Sequence, residues 1–383
     1  MQGADELIKR NGMAHVKHYK EIQIKSNGVV QIVLANNDFG GVQVRNVLEK
    51  LNFVLKRYGK KCNTIVLYAD EFCPKDKLSY IILEVIIYEL IETYHKKVFL
   101  YVKQGRHKIN TYGLKESILH DFINGTVDIT GFCREFERKS RVRPNTFRRL
   151  VDSKEGIAVS QLMTDVKSFL KKFEIDKDDS KSIAGIVSEL ADNACEHAQS
   201  DCLVDIDVSE NHYKEDGDEE EYYSINICVL NFSNILLGDQ LKEKMCDDSI
   251  MKYNRYADIL EAYKYHINLF NQNYSEKHFF ALASFQDKIS GRASARNTGG
   301  RGLAEIVREL EKRVDVYECY VLSGDKVIFF HPDCLETDNR GYITFNTKND
   351  FIYGKPDSKV VSYSSTNLCG TGYNLALIYK RSK

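Results

Sequence analysis

Glu189-Leu-Ala-Asp192-Asn193-Ala-Cys195-Glu196-His197-Ala198 is the stretch on which the reading of this 383-residue chain turns. On a helix Glu189, Asn193 and His197 stand four residues apart, and at about 100° per residue they fan across roughly 80° of one face. Three hydrogen-bonding side chains then point into one place. About a hundred residues downstream, Thr298-Gly299-Gly300-Arg301-Gly302-Leu303 runs straight into apolar residues at helical spacing, Leu303, Ile306, Val307 and Leu310. Bare backbone amides at a helix N-terminus make a place where an anion can approach. The segment is not a Walker A loop, because no Gly-Lys-Ser/Thr follows.

A triphosphate site needs donors for the phosphates, a ligand for a hard cation and something to hold the base. Glu189 is a candidate general base for a water or a hydroxyl, and the Asn193 side-chain oxygen is a candidate Mg²⁺ ligand. His197, one turn on, either faces phosphate or packs. Each motif alone is weak, since polar residues recur on exposed helix faces and glycines before helices are ordinary turns. Their conjunction reads as an ATP site.

Working outward, residues 157–173 have helical spacing and end in the acidic turn Asp176-Lys-Asp-Asp179, with Ser180 or Ser182 expected to start the next helix. Residues 202–208 and 222–230 read as paired strands, joined by a loop whose acidic run 215–221 is a solvated hairpin tip. Residues 236–297 are helical and polar, with 259–270 the clearest amphipathic piece. After the glycines come a helix at 303–312 and strands at 314–321 and 326–330. The tail closes with 342–345, an irregular stretch, and 373–379. The first half alternates strand and helix: strand 28–34, helix 42–58, strand 63–68, helix 78–94 and strand 97–102. That series predicts parallel strands with helices packed on them. Between the halves, residues 134–149 carry seven cations against two anions. A phosphate or nucleic-acid contact competes there with a solvated linker or a helix face neutralised by acidic neighbours, and sparse aromatics favour the latter.

Composition sets limits. The 54 basic and 55 acidic residues nearly cancel, so no global field favours nucleic acid or a membrane surface. No apolar run approaches the ~20 residues of a membrane span, and the N-terminus lacks a signal-peptide pattern, so a cytoplasmic location is expected. The ten cysteines include no C-x-x-C pair and read as reduced and mostly buried, not as a disulfide framework or zinc site.

In order and spacing, residues 153–383 resemble the GHKL ATP-binding superfamily of gyrase, heat-shock chaperones, histidine kinases and mismatch-repair proteins. Residues 189–197 are similar to its N box. Leu230-Asn231-Phe232-Ser233-Asn234 stands where its first glycine box falls, Gly299 to Leu303 resembles the second, and 236–297 occupies the place of the ATP lid. Asn193-Ala-Cys-Glu-His197-Ala198 looks like the N-A-x-x-H-A pattern of anti-sigma serine kinases. Sensor histidine kinases usually carry Lys or Arg where this chain has Glu196. The resemblance implies Glu189 as general base and Asn193 on Mg²⁺, with Asp192 supporting a water or ligand. It also implies His197, Gly299, Gly300, Arg301, Gly302 and Leu303 around the nucleotide. Asn231 replaces the family's adenine-reading Asp, and Ser233 replaces a glycine; an Asn carbonyl can accept the same amino proton. Gly370-Thr371 resembles the threonine region that supports the base. Residues 1–130 resemble a STAS-type domain, although the usual Asp-Ser-Ser-Gly is absent and Ser79 is the nearest hydroxyl.

The expected fold class is therefore α+β: a smaller α/β domain (1–130), a basic connector (131–152) and a GHKL-type α/β sandwich (153–383). The expected function is Mg²⁺-dependent ATP binding, with hydrolysis or phosphoryl transfer to a protein coupling nucleotide state to a regulatory partner. A homodimer is compatible with this reading and a membrane role is not. The alternatives are a nucleotide-sensing module with little catalysis and, less favoured, a nucleic-acid-binding regulator.

Overall fold

The alternating signals of the first half fold into a four-stranded sheet. Helix α1 (Glu6–Arg10) precedes β1 (Ile22–Ile24), β2 (Val29–Val33), α2 (Gly41–Tyr58), β3 (Thr64–Ala69), α3 (Lys77–Glu92) and β4 (Lys97–Val102). The strands lie in the order β1-β2-β3-β4; β2, β3 and β4 are parallel, and β1 is antiparallel to β2. Parallel neighbours need crossovers, which α2 and α3 supply. Every second residue of β2, β3 and β4 is buried, among them Ile32, Ile65, Leu67, Val98 and Leu100, while the alternate residues Phe99 and Tyr101 stay 50% and 55% exposed. The helices thus cover one face only.

The computed structural model describes residues 4–12, 21–25, 27–34, 38–103, 113–155, 158–211, 222–245, 254–286, 304, 307 and 319–380. After α4 (Ile118–Ile123) and α5 (Ile129–Phe136) close the first unit, the chain forms β5 (Ser140–Val142), β6 (Thr146–Val151), α6 (Ala158–Leu170), α7 (Lys177–Asp192), β7 (Cys202–Asn211) and β8 (Tyr222–Phe232). Then follow α8 (Asp239–Lys244), α9 (Asn254–His266), α10 (Glu276–Ala283), β9 (Tyr320–Phe329) and β10 (Val361–Lys380). The second sheet runs β5-β6-β7-β8-β10-β9, antiparallel at every pair. Two sheets with helices make the chain α+β, as its pattern predicts.

Both faces of the second sheet are covered, because strand residues point alternately to either side. Val204, Ile206, Ile227, Val229, Tyr373 and Leu375 pack with α6 and α7. Leu203, Cys228, Leu230, Phe232 and Cys369 turn the other way and join the core of the first unit. Helix α3 explains the join: its buried set runs from Leu78 and Tyr80 through Leu83, Ile86, Ile87 and Leu90, and even Lys77, Glu84 and Glu89 are buried. A helix buried on nearly every side belongs between two layers. It lies between the sheets, touching β4 on one side and β8 and β10 on the other.

Four expectations change. The basic run is not a linker: residues 140–151 form the β5-β6 hairpin that starts the second sheet, so the boundary falls between Phe136 and Ser140. Six of its seven cations are in ion pairs, among them Arg141 and Arg143 with Asp121, Arg148 with Glu84 and Asp205, and Arg149 with Asp165. The described part of 236–297 packs into the core through Ile259, Ala262, Phe279, Phe280, Leu282 and Phe285. Asp176, not Ser180 or Ser182, caps α7. One strand, β9, covers the ground of the two expected at 314–321 and 326–330, with 311–318 outside the described residues.

Candidate functional site

Helix α7 begins where the Asp176 carboxylate accepts from the backbone N–H groups of Asp178 (2.8 Å) and Asp179 (3.4 Å). Asp178 and Asp179 add favourable negative charge to the first turn. Ile183, Ala184, Ile186, Val187, Leu190 and Ala191 form its buried stripe. That stripe fixes the rotation of the helix on the sheet. It turns Glu189 and Asp192 toward a groove of about 760 Å³ between α6 and α7, which Val159, Met163, Gly185, Ser188, Cys195 and Glu196 also line.

The helix does not end regularly. Asn193–His197 is a π-helical turn, closed by the bond from the Ala198 N–H to the Asn193 carbonyl, 3.1 Å. Single π-turns inside helices concentrate at functional sites. The Asn193 side-chain nitrogen is buried and has no hydrogen-bond partner. Leaving such a donor unpaired costs about 1–3 kcal/mol. A bound ligand would remove that cost.

The strand ends meet this turn. Asn231 on β8 and Thr371 on β10 stand directly opposite each other in register, both buried. The amide of Asn231 donates to the Ser200 hydroxyl at 3.0 Å, and the Ser233 hydroxyl donates to the Ala198 carbonyl at 2.7 Å. Thr371 shares a 2.8 Å hydroxyl bond with Ser323. Gly370 makes this pairing sterically feasible. At φ 156° a Cβ there would lie 1.9 Å from the Asn231 carbonyl oxygen. Tyr373, two residues on, is buried, and its hydroxyl pKa is raised first by burial and then by the charge of Glu189.

Thus Glu189, Asp192 and Asn193 lie on α7 and its C-terminal turn, Asn231 and Ser233 bond to Ser200 and Ala198 just after it, and Thr371 stands opposite Asn231. Gly299, Gly300, Arg301, Gly302 and Leu303, the phosphate side of the expected site, lie outside the described residues, as does the His197 side chain. Ser79 is buried in the first turn of α3, where its N–H bonds the Asp76 cap. A phosphoacceptor would need to be accessible. Sequence reasoning missed Ser200, Ser323 and Tyr373, which only the folded register brings in; no local pattern marks them.

Electrostatics narrows the ligand. Asp152, Glu155, Asp178, Glu189, Asp192 and Glu196 line the groove, with Lys181 the one cation among its described lining residues. Such a wall repels a bare polyanion and attracts cations. Among the described residues no group of three or more His, Cys, Asp or Glu is placed to hold a metal ion. Mg²⁺ typically keeps waters and substrate phosphates and takes only one or two protein oxygens. The Asn193 side chain carries one such oxygen beside its unpaired nitrogen, a donor suited to an anion's oxygen. A second groove, about 860 Å³ between residues 271–274 and 355–363, has no carboxylate among its described lining residues.

Two thiols lie at the same turn. Cys195, half-buried on the groove, and Cys202, buried at the start of β7, hydrogen-bond each other. That bond holds the Cys195 pKa below the usual thiol value against the opposing effect of burial, and pushes Cys202 well above it.

No family model, curated protein or solved structure matches this chain. Among the described residues no helix is long and apolar enough to cross a membrane.

Proposed function

We propose that this chain is a Mg²⁺-dependent ATP-binding protein of GHKL type, its residues 140–380 forming the nucleotide-binding sandwich. The observation that carries the reading is the bonding of Asn231 and Ser233 to the residues that end the π-turn after α7, with Thr371 opposite Asn231 in register, beside an Asn193 amide nitrogen that is buried and unpartnered. Asn193 would hold the cation, which supplies charge neutralisation of the phosphates when bound. Glu189 orients and deprotonates the attacking water or protein hydroxyl. Asn231 and Thr371 hold the base, and the resemblance assigns the phosphates to Gly299, Gly300, Arg301 and Gly302, which lie outside the described residues. Contact between α3 and the back of the same sheet supports the first unit as the part that senses nucleotide state. Pairing of the basic hairpin within the chain weighs against nucleic-acid binding.

Calorimetry with ATP, ADP and GTP, with and without Mg²⁺, followed by phosphate release on the same sample, tests this reading. The expected result is ATP binding that chelation abolishes, turnover stopped by Glu189→Gln with binding kept, and Mg²⁺-dependent affinity reduced by Asn193→Ala. ATP binding with no phosphate release or transfer, insensitive to Glu189→Gln, would move the protein to a nucleotide-sensing module. Absence of ATP binding overturns the proposal.

A further inference from the structure

We infer that the uncovered face of the first sheet is a platform for single-stranded nucleic acid. In register, Gln31, Val66 and Phe99 form one row across β2, β3 and β4, and Val33, Tyr68 and Tyr101 form the next. Both rows stand on the face that the helices leave open. Their outer members are the most exposed, Phe99 at 50% and Tyr101 at 55%. Tyr101 stacks on Tyr68 across the strands, with ring centroids 5.5 Å apart and planes 11° from parallel. Large aromatic side chains grouped and exposed in this way mark an interaction site.

Charge names the occupant. Along β4 the same face carries exposed Lys97 before Phe99 and exposed Lys103 after Tyr101, and the Lys103 N–H keeps it in line by bonding the Ala69 carbonyl at 3.0 Å. Lys25, whose N–H bonds the Val29 carbonyl at 2.9 Å, ends the row that Val29, Thr64 and Lys97 make. The carboxylates on this face are Asp70, which accepts from the Tyr68 hydroxyl at 2.9 Å, and Glu21 at the opposite edge. In a chain whose 54 basic and 55 acidic residues nearly cancel, a polyanion can be held only by such a local set. A second copy fits worse. Antiparallel pairing of two β4 edges that keeps all helices on one side sets Leu100 opposite itself and Lys97 opposite Lys103 of the second copy, a like-charge pair. Phe99 and Tyr101 are two residues apart on one strand, about 6.6 Å at 3.3 Å per residue, close to two base-to-base rises of about 3.4 Å. Each ring can take one base of an extended strand, while Lys97 and Lys103 meet the flanking phosphates. A duplex keeps its bases stacked on one another and offers the rings nothing. This face is separate from the paired hairpin 140–151, and its role does not depend on the ATP reading.

Fluorescence anisotropy of the full-length protein with labelled oligo(dT) and oligo(U) of about 15 nucleotides, and with a duplex of the same length, tests this at about 50 and 200 mM salt. The expected result is binding of both single strands, weaker at the higher salt, and at least about tenfold weaker binding of the duplex. Phe99→Leu and Tyr101→Leu keep apolar area but delete the ring, and each should weaken single-strand binding about 5- to 100-fold, the loss of one stacked base. Phe99→Trp should retain it. Replacing Lys97 and Lys103 together by Gln should flatten the slope of log affinity against log salt by about 1.4. The Tm of each variant checks that these exposed substitutions leave the fold intact. No single-strand binding at about 100 µM protein and low salt, or an affinity that neither Leu variant changes, overturns the inference. Phosphatidylserine vesicles and sedimentation of the protein alone are run beside it. Vesicle binding or a dimer that Phe99→Leu abolishes, with both oligonucleotides unbound, also overturns it and gives the face to a membrane or a second copy.

Discussion

Replacing Lys77 with Met tests how the two units are joined. Lys77 is 1% exposed at the N-terminus of α3, yet its ammonium sits 2.6 Å from Asp205 and 2.9 Å from Asp207 on β7 and donates to the Tyr80 hydroxyl at 3.0 Å. Glu84 and Arg148 complete the buried cluster through their own pair and the Arg148–Asp205 contact. Burial opposes the lysine charge, but the two carboxylates more than overcome it and hold its pKa well above the ordinary value. Burial likewise raises Asp207, while Lys77 and the amide of Asn226 pull it back. Methionine keeps the apolar stem and deletes the charge. Removing one partner of a buried ion pair costs about 3–5 kcal/mol. With an unfolding entropy of about 2.1 cal/mol/K per residue over 383 residues, Tm should fall by about 4–6 °C if the chain unfolds in one step.

The pH dependence separates this mechanism from simple loss of packing. In the variant the folded pKa of Asp207 rises further above its unfolded value, so the folded state binds more protons between the two. Stability of the variant relative to wild type is then lowest at neutral pH and recovers as pH falls toward the unfolded carboxylate value, by about 1.4 kcal/mol per unit of added shift. Denaturant unfolding of both proteins at pH 8, 7, 6 and 5 measures the difference. A deficit inside the range of about 0–1 kcal/mol seen for exposed pairs, or one equal at all four pH values, refutes the neutralising role of Lys77.

Four further outcomes are expected. Phe279→Ala, in a helix that the resemblance assigns to a lid but the fold buries, should cost about 3–5 kcal/mol in denaturant unfolding; an exposed lid residue would cost a small fraction of that. Gly370→Ala should destabilise by more than about 2 kcal/mol, because a Cβ 1.9 Å from the Asn231 carbonyl must push β10 away from β8. If the nucleotide reading holds, ATP affinity falls with it. Burial holds His266 and His278 below the ordinary histidine pKa, so the unfolded chain protonates first, and stability is lost as pH falls through about 6.5 toward the folded values. The double substitution to Gln should flatten the stability curve between pH 7 and 5.5. Asp176→Ala removes the cap of α7 and should cost about 1 kcal/mol.

Local pattern made some of this molecule legible and left the rest hidden for identifiable reasons. The β2-α2-β3-α3-β4 series could be read because each element carries its own period and its neighbours pair in chain order. The apolar length of α3 was visible, but what covers its second face was not, since Leu203, Leu230 and Cys369 lie more than about a hundred residues away. The basic run misled for the same reason: Glu84, Asp121 and Asp165, which neutralise it, come from three other elements. Within the candidate site, Glu189 and Asn193 followed from helical spacing. The π-turn and the unpartnered amide did not, because they arise from how α7 meets the start of β7.

That hidden contact changes how the two units can be regarded. Asn231 and Phe232 are consecutive on β8, so they point to opposite faces. Asn231 bonds Ser200 at the end of α7, while Phe232 packs in the core that α3 shares with the first sheet. At the same strand end, the Arg10 guanidinium of α1 donates to the Asn234 side-chain oxygen at 2.6 Å. Cys369, beside Gly370 on β10, also faces that core. A displacement of β8 or β10 large enough to break the bonds of Asn231 to Ser200 and of Thr371 to Ser323 therefore strains α1 and α3 directly. A change at the α7 turn and a change in the first unit are two ends of one packed strand pair.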